Sequence, residues 1–217
     1  MQNVERLESN GIFITFKGLD GSGKTTQLRL LENELKKRGR SVVSTCEPGG
    51  TLLGKRLREL ILDDDLQVAP LAELLLFAAD RAQHIQTLIH PALKKGQIVI
   101  SDRYSDATVA YQGAGRGVDA RLVKQLVKLA TDGLKPNLTL FFDLPVTESL
   151  KRTNSRAVLG QEKNRMDKED TEFYTHVRDA YLQIARREKQ RFRVVDATAS
   201  PNEIHAQVIE IVDSFLH

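Results

Sequence analysis

The stretch FKGLDGSGKTTQLRLL, residues 16–31, decides the fold. Gly18, Gly23, Lys24 and Thr25 satisfy the pattern G-x-x-x-x-G-K-[ST], after the apolar run IFITF at 12–16 and before leucines at helical spacing. In that strand, loop and helix setting the glycines let backbone N–H groups curl round phosphates. Lys24 then reaches the outer phosphates, and the Thr25 hydroxyl is placed to hold a magnesium ion.

Four further apolar runs follow: SVVST at 41–45, QIVIS at 97–101, LTLFFD at 138–143 and FRVVD at 192–196. Five strands alternating with longer helical patterns predict an α/β fold, a five-stranded parallel sheet with helices on both faces. The first helix buries Leu28, Leu31 and Leu35 and stops at Gly39 after the cations of KKRG. In the last helix Ser200 is expected to cap, Pro201 to take the first position and Glu203 to close a capping box, with Ile204, Val208, Ile211 and Phe215 as its buried stripe.

Composition narrows the class. The chain has 217 residues, 41% hydrophobic and 28% charged, which reads as one domain spanning residues 1–217. A net charge of +3 with basic residues spread along the chain gives no nucleic-acid patch. Cys46 is the single cysteine, which excludes an internal disulfide and fits a cytoplasmic setting. MQNVERLESN lacks the apolar core of a signal peptide, and the run LLLFAA is far short of a membrane span.

Ligands of open parallel sheets bind beyond the carboxyl ends of the strands, and three strands here end in chemistry: Gly18, then CEPGGT, then SDRY. A phosphate acceptor needs cations and no strong base, because its second pKa is near 6. Asp102 and Arg103 at the third strand's end fit that need, the carboxylate holding magnesium through water and the guanidinium gripping an acceptor phosphate. Thr108, Tyr111 and Gln112 stand at i, i+3 and i+4, so a helix would turn them to one side. They either read a base or sugar, or form a packed tyrosine with a solvated glutamine. Phe77 and Arg81 share the i, i+4 relation and make either a nucleobase pocket or, for Phe77, ordinary core.

GLDGSGKTTQ, EPGGT, LLLFAADRAQH, SDRYSDATVAYQGAGRG and LKRTNSRAVLGQEKNRMDKED resemble, in order and spacing, the thymidylate kinases of bacterial type. The resemblance runs from about Gly11 to the final helix. It implies the P-loop nucleoside monophosphate kinase fold, ATP and dTMP as substrates, Mg2+ as cofactor, and a homodimer. Gly18, Leu19, Asp20, Gly21, Ser22, Gly23, Lys24, Thr25 and Thr26 would form the ATP loop. Phe77 would stack on thymine, Arg81 would donate to a thymine oxygen, and Arg103 would bind the thymidylate phosphate. Glu47 would sit near the sugar 3'-hydroxyl and the metal, which Thr25 and Asp102 also hold. Thr108 and Gln112 fall where the family contacts the base, and Tyr111 where its ring crowds the sugar 2' position. Eukaryotic members carry a catalytic arginine where this chain has Gly21. The polar segment at about 153–168, which contains Gly160, reads as a mobile lid, with Arg152, Arg156 and Arg165 as the arginines that replace it.

Two other classes share the phosphate loop. A deoxynucleoside kinase would use Glu47 as base for a sugar hydroxyl, but the DRY and lid segments match monophosphate enzymes better. A GTP-dependent switch would carry an Asn-Lys-x-Asp signature, which this sequence lacks.

Overall fold

Along the first strand Phe13, Thr15 and Lys17 alternate with Ile14 and Phe16, and all five are fully buried, so the strand is covered on both faces. A computed structural model describes residues 11–158 and 165–216. Its strands are β1 (Ile12–Gly18), β2 (Val42–Cys46), β3 (Ile98–Asp102), β4 (Leu138–Asp143) and β5 (Phe192–Asp196). They form one parallel sheet in the order β2-β3-β1-β4-β5. The expected runs are the observed strands, with ends moved by one or two residues. The chain crosses from β3 on one side of β1 to β4 on the other, so a switch-point crevice opens at the end of β1. Register aligns Phe16 and Cys46 with Asp102, and Gly18 with Phe142, which gathers the three chemical strand ends.

One face carries α1 (Lys24–Lys37) and α9 (Pro201–Leu216). Leu28, Leu31 and Leu35 pack there on Ile14, Phe16, Ile100 and Leu140, each such side chain contributing about 1.5–3 kcal/mol. The N–H of Gly39, at φ 75°, donates to the Lys36 carbonyl, so the residue stops α1 as expected. The capping box of α9 is present: Ser200 N–H donates to Glu203 at 2.9 Å, and Glu203 N–H to Ser200 Oγ at 3.4 Å. Its buried stripe is Ile204, Val208 and Val212, with Ile211 and Phe215 only partly buried. Steps of four residues, not the expected mixture with three, set that face.

The opposite face carries α3 (Pro70–His84), which continues through a π-helical turn (Ile85–Ile89) into α4 (His90–Lys94). Pro91 has no N–H to return to Thr87, and the wider turn falls just before it. The same face holds α5 (Ser105–Thr108) with a second π-helical stretch (Val109–Gly115), α6 (Ala120–Thr131) and α8 (Thr171–Arg187). Between these lie α2 (Leu52–Leu62), α7 (Val146–Val158) and a 3-10 turn (Arg165–Lys168). The segment read as a lid therefore begins as the end of α7 and finishes in the 3-10 turn. Its centre, residues 159–164 with Gly160, lies outside the described residues. Among the described residues no helix is long and apolar enough to cross a membrane.

Candidate active site

The loop after β1 takes its shape from glycine. Gly18, Gly21 and Gly23 have φ of 149°, 84° and 81°, and a Cβ on Gly18 would sit 2.8 Å from the Phe142 carbonyl. The loop ends at the N-terminus of α1, where backbone N–H groups and the helix dipole favour an anion. Lys24 Nζ and Arg103 Nη2 both donate to Asp20 Oδ1, at 2.8 and 3.0 Å. Arg103 also reaches Oδ2 at 3.0 Å. Burial alone would push the Asp20 carboxyl up, but Lys24 and Arg103 outweigh it and hold the group well below the usual carboxylate range.

Arg103 adopts φ 72°, a left-handed conformation unusual for a residue with a long side chain, fixed by its N–H on the Phe16 carbonyl and by Ser101 Oγ donating to its own carbonyl. Its guanidinium lies 4.7 Å from the centre of the Tyr111 ring. Beside it Thr25 Oγ1 donates to Asp102 Oδ2 at 3.1 Å, while Asp102 Oδ1 is buried without a partner. A hydroxyl next to an orphaned carboxylate oxygen suits magnesium, which binds through one or two protein groups, water and substrate phosphates. No cluster of three His, Cys, Asp or Glu among the described residues offers a fuller cage.

Glu47, expected near the sugar and the metal, is held from α3. Both oxygens are taken, Oε2 by Arg81 Nε at 2.8 Å and Oε1 by His84 Nδ1 at 3.0 Å, with His84 Nε2 on Thr45 Oγ1 at 2.7 Å. Burial would raise the Glu47 carboxyl, but Arg81 and His84 hold it below its ordinary value. It serves as an anchor for two α3 side chains. Arg81 Nη1 continues the chain to Thr108 Oγ1 at 2.9 Å. Phe77, one turn earlier, is half-buried and belongs to none of the three apolar clusters, so the core alternative for it falls away.

Thr108, Tyr111 and Gln112 are all buried, which removes the solvated-glutamine alternative. Thr108 ends α5, and the π-helical stretch that follows carries Tyr111 and Gln112. Thr108 meets Arg81, Tyr111 lies under Arg103, and Gln112 Nε2 donates to Glu73 at 2.9 Å.

Two of the three lid-side arginines, Arg152 and Arg165, have described contacts, and they go to different places. Arg152 Nη1 donates to the carbonyls of Gly21 and Ala197 at 3.2 and 3.3 Å, and a Cβ on Gly21 would stand 3.1 Å from Arg152 Cβ. Ser149, one turn earlier on α7, donates to the Asp20 carbonyl at 2.6 Å, which presses that helix onto the phosphate loop. Arg165 is committed elsewhere, to the Ile61 carbonyl at 2.9 Å and Glu73 at 2.7 Å. The side chain of Arg156 lies outside the described residues. Cys46 is half-buried, and burial raises its thiol pKa.

Glu73 and His84 carry contacts at this site that no motif assigned to them, and Asp20, expected only as part of the ATP loop, joins Lys24 to Arg103. His84 stands three residues after Arg81, a helical spacing that signals a shared side. Asp20 and Glu73 give no comparable signal.

Comparison with known proteins agrees with this geometry. Residues 16–208 match the profile of the thymidylate kinase family. The thymidylate kinase of Sulfurihydrogenibium sp. (strain YO3AOP1) is 48% identical over 201 residues, covering 92% of this chain and 96% of the relative. That of Leifsonia xyli subsp. xyli (strain CTCB07) is 49% identical over 201 residues, covering 91% and 92%. The crystal structure of thymidylate kinase from Ehrlichia chaffeensis is similar with a TM-score of 0.74 and 38% identity, over 93% of this chain and 98% of that one.

Proposed function

Because the chain belongs to the thymidylate kinase family, we propose a division of labour among its residues in the reaction it catalyses, the ATP-dependent phosphorylation of dTMP to dTDP. In that reaction the bond from the γ-phosphorus to the bridging oxygen breaks, a dTMP phosphate oxygen bonds to that phosphorus, and ADP leaves. The dTMP phosphate is mostly a dianion at neutral pH, so no side chain need take its proton, and catalysis rests on positioning and charge neutralisation.

One observation carries the reading. Lys24 and Arg103 meet on a single oxygen of Asp20, so the two cations lie less than about 6 Å apart, close enough to serve the two phosphates of one transfer. Lys24 and the backbone from Gly18 to Thr26 hold ATP, and Arg103 fixes the dTMP phosphate. Thr25 and Asp102 are the residues that would hold magnesium. When bound, the ion neutralises charge on the ATP oxygens. Arg152 stands against Gly21 and is the arginine we assign to the charge that develops on the transferring group. Arg156 joins it from the lid, whereas Arg165 secures the lid's far end on Glu73.

Phe77 stacks on the thymine ring, with Arg81 and Gln112 on its polar edges and Tyr111 crowding the 2' position of the sugar. Thr108 and Glu47 act on the base through Arg81. Leu52, Leu53, Leu60, Leu71 and Leu75 are exposed on α2 and α3, and we assign that face to a homodimer. Sedimentation of Leu71→Glu/Leu75→Glu as a monomer checks it. The free thiol of Cys46 suits the cytoplasm.

The test is ADP release from ATP and magnesium with dTMP, dUMP, thymidine, CMP and AMP each offered as acceptor. Fast turnover with dTMP, slower with dUMP and none with thymidine supports these roles. Turnover with thymidine but not dTMP would make Glu47 a base and overturn the role of Arg103.

A further inference from the structure

Glu73 touches none of the phosphate-binding groups, yet it is fully buried and gathers four donated hydrogen bonds. Oε1 accepts from Gln112 Nε2 at 2.9 Å and Arg116 Nε at 3.2 Å. Oε2 accepts from Arg116 Nη2 at 3.3 Å and Arg165 Nη2 at 2.7 Å. Burial would raise its pKa, but these bonds outweigh burial and keep it ionised. An ionised carboxylate only accepts, so the amide of Gln112 has to turn its NH2 toward Glu73 and its oxygen away. That oxygen has no partner among the described residues, although Gln112 is only 2% exposed.

We propose that Glu73 is a positioning residue for base selection: it locks the Gln112 amide so that an acceptor oxygen, and never the NH2 group, faces the acceptor's base. The inference rests on the reading that Gln112 contacts that base. A fixed acceptor complements a pyrimidine that carries a ring N–H at position 3, as thymine and uracil do. Cytosine presents a bare nitrogen there, and two acceptors would face each other. Without the lock the amide could turn over and serve either ring. Glu73 also stands one turn before Phe77 and two before Arg81, so the lock is built on the helix that supplies the stacking ring.

The experiment compares kcat/KM for dTMP and dCMP in the parent, Glu73→Gln, Glu73→Asp, Gln112→Leu and the double variant Glu73→Gln/Gln112→Leu. A glutamine at 73 can donate as well as accept and frees the amide. An aspartate keeps the charge for Arg116 and Arg165 but is too short to hold Gln112, which leaves a test if the first variant folds poorly. The dTMP:dCMP ratio is expected to fall at least tenfold in each single variant, with no further fall in the double variant. A merely structural role would lower both acceptors together and leave the ratio unchanged. If Gln112→Leu shifts the ratio but neither Glu73 variant does, the lock is wrong and the base contact stands. If Gln112→Leu leaves the ratio unchanged, the base contact itself fails and the inference with it.

Discussion

Replacing Lys17 with methionine is expected to stabilise the protein, and the size of the effect follows from where the amine sits. Lys17 is fully buried on β1, and its Nζ has no hydrogen-bond partner. It lies 5.8 Å from the centre of the Tyr104 ring. The nearby carboxylates are engaged elsewhere, Asp106 by Arg191 at 2.8 and 3.0 Å and Glu47 by Arg81 and His84. Burial, opposed by Asp106 and Glu47 and aided by Arg81 and Arg103, lowers the amine from an ordinary 10.5 to about 7. Below pH 7 the group is charged both folded and unfolded and its full cost falls on the fold; above 10.5 it is neutral in both and the cost vanishes. At about 1.4 kcal/mol per pH unit the cost is at most about 4 kcal/mol at pH 7 and about 2 kcal/mol at pH 9. Methionine keeps an unbranched chain of similar length without the charge. Urea denaturation should show Lys17→Met more stable than the parent at pH 7, by up to that amount, with the gap narrowing by about 2 kcal/mol at pH 9. A variant less stable than the parent, or a gap independent of pH, would refute the reasoning.

Other expectations concern single residues. Arg103→Ala should raise the KM for dTMP by about 10- to 100-fold, the worth of a charged hydrogen bond, with a much smaller change in the KM for ATP; equal changes in both would move Arg103 out of the acceptor site. Arg152→Ala should lower kcat by about 10³, and Arg165→Ala by less than about tenfold. Unchanged turnover with Arg152, Arg156 and Arg165 all replaced by alanine would remove arginine from the transfer step. Asp80 is buried and, through burial and the charge of Glu47, pushed up to about 6, while its Oδ1 accepts from Gly49 N–H. A raised carboxyl favours the fold as pH falls, so Asp80→Asn should be more stable than the parent at pH 8 by up to about 3 kcal/mol, a difference lost by pH 4 in thermal melts.

The strands and the phosphate loop were legible because each depends on local pattern: an apolar run, a glycine that must reach positive φ, a capping box. Lys24, Thr25, Asp102 and Arg103, which the structure brings together, stood out for the same reason, each at a strand end or loop in a short motif. What the sequence hid depends on distant partners. Glu47 reads as an acid at a strand end, and only the fold shows Arg81 and His84 closing on both its oxygens. The π-helical stretch at Val109–Gly115 has no sequence signature, and the partners of Thr108, Tyr111 and Gln112, which are Arg81, Arg103 and Glu73, come from distant parts of the chain. Lys17 in a run of apolar residues gave no sign that it would be sealed in, since a strand-end lysine is ordinarily solvated.

The carboxylate of Asp20 has a consequence for inhibition. One carboxylate accepts from both Lys24 and Arg103, so an inhibitor bearing one phosphate must break half of a shared arrangement and leave the other half holding Asp20 in place. A compound that joins adenosine to thymidine through a phosphate chain displaces the same group once and occupies both cations together. Its second contact is made at the high effective concentration set by a short tether, so its affinity should exceed that of either half-molecule alone.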